Sequence, residues 1–291
     1  MFSASDVKNL REKTGAGMLD CKKALDACEG NVDKAIDWLR EKGIAKAAKK
    51  ADRIAAEGLS YIAIKDNTAV ILEVNCETDF VSKNDTFKEL VSELANGLLD
   101  SNATNTEEAL ETIVNGTKVS DIILNSTAKI GEKISFRRFT KLTKNDNETF
   151  GDYIHMGGKI AVLTVIEGSD YSVAKDVAMH AAAMRPLFIS PEVVPTDVLE
   201  HEKDLMRTEL INEGKPADKI DMILPGKVKK YYEENCLLNQ IFIKAENKET
   251  VEKFLSNNNS KLVTMVRYEV GEGIEKRVDD FASEVMSQIN G

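Results

Sequence analysis

The stretch Val70-Ile71-Leu72-Glu73-Val74 returns in outline further along the chain as Val162-Leu163-Thr164-Val165. Both are short aliphatic runs of strand character, and each leads into apolar residues at helical spacing. Phe87, Leu90, Val91, Leu94 and Leu98 follow the first copy, and Val173, Val177, Ala178 and Ala181 the second. Ahead of the first copy, residues 59–64 form a second strand-like run, joined to residues 69–74 by Lys65-Asp66-Asn67, a hairpin signal. A Thr/Asn/Glu-rich loop is expected over 101–108, then another helix and a strand over 134–142. A strand–strand–helix unit used twice predicts an α+β fold, with two related α+β subdomains carrying antiparallel sheets side by side.

Upstream of that core, three apolar stripes at helical spacing fill the first fifty residues: Val7 and Leu10; Met18, Cys21, Ala24 and Leu25; Val32, Ala35, Ile36 and Leu39. Gly15-Ala16-Gly17 and Glu29-Gly30-Asn31 separate them, and the small, polar run over 45–50 suits a linker. So small a bundle is marginal alone, which suits a docking module. Downstream, Leu199, Leu205, Met206 and Leu210 sit on one helix and Ile220, Leu224, Val228 and Tyr231 on another, parted by Gly214-Lys215-Pro216. These narrow stripes predict an inserted antiparallel helical hairpin. Residues 240–244, a helix near 251–255 and a strand over 261–270 then return to the second subdomain, and a last helix carries Val278, Phe281, Val285, Met286 and Ile289. The expected domains are 1–53, a three-helix bundle; 54–142, the first core subdomain; 143–194 with 235–270, the second; 195–234, the hairpin; and 271–291, a C-terminal helical module.

Composition narrows the function. The 291 residues hold 39 Lys plus Arg against 49 Asp plus Glu, a net charge of −10, which argues against a chain that grips phosphates by clustered basic residues. Cys21, Cys28, Cys76 and Cys236 form no C-x-x-C pair, so no metal knuckle is expected, and reduced thiols are. Asp6 and Lys8 interrupt any signal-peptide core, and no apolar run reaches bilayer length, so the expectation is a cytoplasmic protein. Gly158-Lys159 lacks the first glycine of a phosphate loop, with Tyr153 in its place, and Gly271-Glu272-Gly273 lacks the third glycine of a dinucleotide fingerprint. His201-Glu202 has Leu205 where a zinc-protease motif needs its second histidine, and His180 suits a hydrogen-bonded core or interface. No cofactor, metal or covalent chemistry is expected; the chain reads as one that acts by binding.

Two places suit binding. In Cys76-Glu77-Thr78-Asp79-Phe80-Val81, a large aromatic beside a carboxylate at a strand-to-helix junction can wedge into a partner. The same residues also read as Asp79 capping a helix with Phe80 packed in its first turn, and on physics alone this plainer reading leads. In Gly15-Ala16-Gly17-Met18-Leu19, one of the two bulky residues is expected in the core and the other exposed.

Four segments together carry a resemblance. Leu10-Arg11-Glu12-Lys13-Thr14-Gly15-Ala16-Gly17-Met18-Leu19-Asp20-Cys21-Lys22-Lys23-Ala24-Leu25, Glu73-Val74-Asn75-Cys76-Glu77-Thr78-Asp79-Phe80-Val81, Tyr153-Ile154-His155-Met156-Gly157-Gly158-Lys159-Ile160 and Arg267-Tyr268-Glu269-Val270-Gly271-Glu272-Gly273-Ile274-Glu275-Lys276 resemble, in order, segments of the elongation factor Ts family. The resemblance implies a non-enzymatic guanine-nucleotide exchange factor that binds elongation factor Tu in its GDP-bound and nucleotide-free forms. It further implies a ubiquitin-associated-like bundle at the N-terminus. Carried over, Thr78, Asp79, Phe80 and Val81 would intrude beside the GTPase's magnesium and phosphate region, with Phe80 as wedge. His155, Met156 and Gly157 would contact the partner's third domain, Arg11, Met18 and Leu19 its nucleotide-binding domain, and Phe281 would add a further contact. Direct nucleic-acid or membrane contact is not implied, and self-association is left open.

Two positions depart from the pattern. Leu19 replaces a frequent Met, a volume-conserving change. Pro225 stands where relatives carry an acidic residue and is expected to break the second hairpin helix or start a new one. Two rival readings remain: an adaptor using the N-terminal bundle alone, and a small-molecule enzyme pairing His155 with Asp79 or Glu77 between the subdomains.

Overall fold

A computed structural model of the chain describes residues 2–14, 16–168 and 170–275; most of the expected C-terminal module, with Phe281, lies outside the described residues. Helices α1 (Ala4–Thr14), α2 (Met18–Ala27) and α3 (Val32–Ala48) open it. Val7, Leu10, Cys21, Ala24, Leu25 and Ala35 form their shared buried centre. Asn31 caps α3 by accepting from the Lys34 amide. The run expected as linker instead stays helical through Ala48, and Ala47 is buried. Helix α3 lies against α7 (Val119–Ile130) of the next unit, where Gly43 leaves room for Ala128.

Strands β1 (Glu57–Lys65) and β2 (Thr68–Cys76) form the expected hairpin, turning at Asp66 with φ +52°. After β2 come α4 (Asp79–Lys83), α5 (Asp85–Leu99), α6 (Thr106–Glu111), the two-residue strands β3 (Ile113–Val114) and β4 (Thr117–Lys118), then α7. Helix α6 thus begins inside the stretch expected as a loop. Strand β5 (Ser135–Thr143) pairs antiparallel with β2, giving the sheet order β1-β2-β5. The second sheet is β6 (Glu148–His155), β7 (Ile160–Glu167) and β8 (Lys261–Glu269), also antiparallel and ordered β6-β7-β8, with α8 (Tyr171–Met184) across it.

The repeated aliphatic runs become the two central strands, and each is buried on both faces. Val70, Leu72 and Val74 of β2 pack under α5, while Ala69 and Ile71 meet Ala161, Leu163 and Val165 of β7. On the far side Val162 and Ile166 pack under α8. The layers run α5, sheet, sheet, α8, which explains continuous rather than alternating hydrophobicity in both runs. One acid is sealed inside this stack. Glu73 is fully buried and accepts from Arg137 at 2.9 Å, Arg138 at 2.6 Å, Asn75 at 3.0 Å and the Gly271 amide at 2.9 Å.

The hairpin is α9 (Thr196–Asn212) and α10 (Ala217–Asn235), antiparallel, turning at Gly214 with φ +75°. The expected break at Pro225 is absent: α10 is continuous. Pro225 and Gly226 face solvent, where water can serve the Asp221 carbonyl that proline leaves without an amide donor. Ile220, Leu224 and Tyr231 are buried on the other face and hold the helix in line. Pro225→Ala should therefore stabilise the hairpin, by about 1–3 kcal/mol from helix propensity. Urea melts of the two proteins check this; an unchanged or lower midpoint contradicts it. The hairpin leaves and rejoins the body at one place, where Phe188 bridges Cys236 and the Leu187 amide bonds the Asn235 carbonyl at 2.9 Å.

Beyond the hairpin, residues 240–244 run as a loop with one bridge, Ile241 to Thr250, before α11 (Val251–Asn257). The loop is held by His180, which is fully buried in α8, as its setting in an apolar helix suggests. The Ile243 amide donates to His180 Nδ1 at 3.1 Å, which puts the ring proton on Nε2, facing Gln240 Oε1 at 3.0 Å. Gln240 then donates to the Glu234 carbonyl at the end of α10, at 2.7 Å. Burial pushes the His180 pKa below the ordinary 6.5, against the weaker opposing effect of Gln240. The unfolded chain therefore takes up this proton first as pH falls. Stability from neutral His180 is complete above about 6.5 and declines below it, by at most ~1.4 kcal/mol per pH unit until the folded pKa is reached. Thermal melts from pH 7.5 to 5 should show this slope, and His180→Gln should flatten it; equal slopes in both proteins would assign the effect elsewhere.

Candidate functional site

Strand β2 delivers the chain to Cys76, and the next two residues are held from outside. Glu132, just after the left-handed Gly131 that ends α7, accepts from the Glu77 amide at 3.1 Å and the Thr78 amide at 3.0 Å through Oε2. Its Oε1 accepts from the Thr78 hydroxyl at 2.6 Å. Glu77 in turn accepts from the Lys133 amide at 2.6 Å and pairs with Arg53 at 3.3 Å. Lys133 reaches back to the Ala51 and Arg53 carbonyls, so the junction after α3 is tied to the same loop. Burial, then the Glu132 charge, push the Cys76 thiol up to about 12.

Thr78, not Asp79, caps α4: its hydroxyl oxygen accepts from the Val81 amide at 3.4 Å. Val81 packs against the core that β2 and α5 share, and Ser82 is buried. At roughly 100° per residue, that inward face turns the preceding side chain outward. Phe80 is accordingly 82% exposed, which overturns the reading of it as a packed first-turn residue. Asp79 pairs with Lys83 at 2.6 Å, and that bond holds its carboxyl below the usual range, so it stays ionised at neutral pH. A bare phenyl ring beside a carboxylate stands on the surface, on a braced loop.

The His155-Met156-Gly157-Gly158 turn joins β6 to β7 with three successive left-handed residues, Met156, Gly157 and Gly158 at φ +51°, +64° and +99°. Gly158 lies on β1: the Ser60 amide bonds its carbonyl at 2.7 Å, and a Cβ there would stand 2.8 Å from the Leu59 side chain. Lys159 pairs with Glu57, whose β-partner is Cys76, and the Lys159 charge helps lower the Asp79 pKa. The turn and the Thr78–Val81 segment are thereby fastened to one end of β1. Met156 and His155 are exposed, and His155 stacks on Tyr153 with centroids 5.9 Å apart.

The third group sits on the helical unit. Arg11 is exposed in the last turn of α1, and Met18 and Leu19 are both exposed in the first turn of α2. The expectation that one would enter the core fails because Cys21, Ala24 and Leu25 already fill the inward face. The pairing of His155 with Asp79 or Glu77 is not formed: Asp79 bonds Lys83, Glu77 bonds Lys133 and Arg53, and His155 faces Tyr153. Among the described residues no cluster of three or more His, Cys, Asp or Glu is placed to hold a metal, and no helix is long and apolar enough to cross a membrane.

The sequence profile of a family described as elongation factor TS matches residues 77–272, about two thirds of the chain. The chain belongs to the elongation factor Ts family. Membership gives it a role in translation elongation. In this elongation factor Ts chain the matched span opens at Glu77, on the braced loop, and takes in the His155 turn, both hairpin helices and β8. Arg11, Met18 and Leu19 precede the span, and Phe281 follows it. Reading the sequence does not single out Glu132, Glu57 or Lys133 as parts of the site: each acts across at least 50 positions or through a backbone atom, and no local motif marks such a contact.

Proposed function

We propose that the chain binds elongation factor Tu and speeds the exchange of its GDP for GTP, using Phe80 as a wedge and no covalent chemistry. The observation that carries this is the 82% exposure of Phe80 on a braced single-turn helix, an aromatic ring held where a partner can bury it as an anchor. Ionised Asp79 stands beside the ring. Mg²⁺ at the nucleotide phosphates of a GTPase needs near-octahedral geometry, so a ring and a carboxylate pressed against its surroundings weaken nucleotide binding sharply. Linkage supplies the rest: a factor that prefers the nucleotide-free GTPase must weaken GDP by the same ratio, and incoming GTP then displaces the factor.

Exposed Met156 and His155 of the β6–β7 turn, and exposed Met18, Leu19 and Arg11 of the helical unit, fit this reading as grips that orient the wedge. A ubiquitin-associated-like role for α1–α3 belongs to the same proposal. Met18→Ala with Leu19→Ala should weaken binding to nucleotide-free elongation factor Tu by about tenfold, since two exposed apolar chains lose their burial. Titration calorimetry reads it, and an unchanged dissociation constant removes the grip.

The test of the function itself is release of fluorescent GDP from elongation factor Tu, with this protein at a tenth of the GTPase concentration and unlabelled GDP in excess. Complete fast release supports exchange catalysis. No acceleration with an active partner defeats it, and tight binding without acceleration would favour a non-catalytic adaptor.

A further inference from the structure

We infer that Glu132 is a positioning residue for the Phe80 wedge, holding the Thr78 cap in the geometry that aims the ring. The inference rests on the exchange reading above and adds to it a residue distant in sequence that acts through Thr78.

The five residues of α4 cannot hold a helical turn unaided. Val81 turns Phe80 outward, and the cap at Thr78, held by Glu132, fixes where the turn begins and so where the ring is aimed. Thr78 has one hydroxyl hydrogen. Giving it to Glu132 Oε1 at 2.6 Å leaves the oxygen's lone pairs for the Val81 amide, the bond that starts the turn. The other carboxylate oxygen takes the Glu77 and Thr78 amides together. Three donors converge on one side chain, and an ionised carboxylate accepts from all three at once. A glutamine would keep the two amides on its carbonyl but turn its NH2 onto the Thr78 hydroxyl, so the amide bonds lose their charge and the hydroxyl bond reverses. Removing the carboxylate strands two part-buried amides just before the wedge.

Such bracing matters for a wedge. A loop already in its working shape spends little of its binding energy on ordering itself. Glu132 should thus act on the turnover step, where Phe80 displaces the metal's surroundings, more than on encounter.

Glu132→Gln, Phe80→Ala and the double variant are to be compared with the wild-type chain. Two measurements are made: hydrogen exchange at the Glu77 and Thr78 amides in the free protein, and kcat and KM for release of fluorescent GDP from elongation factor Tu. Glu132→Gln should speed amide exchange about tenfold and lower kcat by about tenfold with KM changed less, one charge-assisted hydrogen bond being worth that factor. In the Phe80→Ala background the same substitution should leave kcat unmoved. Unchanged amide protection overturns the bracing. An equal fall in kcat with and without Phe80 overturns the positioning role and leaves a purely structural one. If the wild-type chain fails to release GDP, the exchange reading falls and the positioning role with it, while amide exchange still reads the bracing.

Discussion

Phe80→Ala will slow GDP release by about 30-fold or more at saturating factor while the melting temperature stays within a degree or two. The kinetic loss follows from the behaviour of central aromatic anchors, whose truncation costs about 2 kcal/mol or more, and each ~1.4 kcal/mol is a factor of ten in rate. The stability is spared because the ring is 82% exposed and Val81, not Phe80, meets the core. The pairing of these two readouts is the point of the experiment. A large kinetic effect with a large fall in melting temperature would mean the ring is packed after all. Unchanged release with unchanged stability would remove the wedge and leave His155, Met156 and the helical unit to account for exchange. Phe80→Leu should recover part of the rate, since a wedge needs bulk more than aromaticity.

Glu73→Ala should be the most damaging single change to the fold, costing about 3–5 kcal/mol, the usual result of removing one partner from a buried ionic group. Its carboxylate is the shared acceptor of Arg137, Arg138, Asn75 and the Gly271 amide. Arg138 also donates to the Glu269 carbonyl at 2.9 Å and lies 4.1 Å over the Tyr268 ring. Tyr268 in turn meets Thr140 at 2.7 Å. Glu73, Arg137, Arg138 and Thr140 belong to the first sheet; Tyr268, Glu269 and Gly271 belong to β8 or the turn beyond it. The carboxylate therefore fastens one sheet to the other. Urea melts should show the loss, a large share of the ~5–15 kcal/mol that a typical domain possesses. A cost under ~1 kcal/mol would show that solvent, rather than Glu73, satisfies the two arginines.

The legible residues are those whose reasons are local. The run 70–74 and its counterpart 162–165 announce two buried strands because nothing but a double-sided core tolerates such continuity. Gly214 and Pro216 mark the hairpin turn by their own backbone preferences. The hidden features depend on which way a turn faces or on a distant partner. Asp79 and Thr78 are both good caps, and only the loop's attachment to Glu132 selects Thr78. Phe80 points outward because Val81 points inward, a choice one residue of helical phase decides. At Pro225 the missing donor is the visible feature, whereas the buried stripe of Ile220, Leu224 and Tyr231 decides the helix. Glu73 sits in an apolar run where its identity gives no sign of the two arginines, more than 60 positions ahead, that make its charge tolerable.

The shared point of exit and return at Phe188 and Cys236 bears on how the chain finds its fold. Strands β7 and β8 are neighbours, yet Val162 pairs with Arg267, more than a hundred positions later. Closing so long a loop is a slow route to a sheet. Helices α9 and α10 need only each other and a four-residue connection, so they can zip on the microsecond scale of local structure. Once they do, Phe188 and Cys236 are already side by side, and some forty residues vanish from the loop that β8 must close. The hairpin thereby works as a splint during folding: it shortens the search for the last strand of a sheet to which it contributes none.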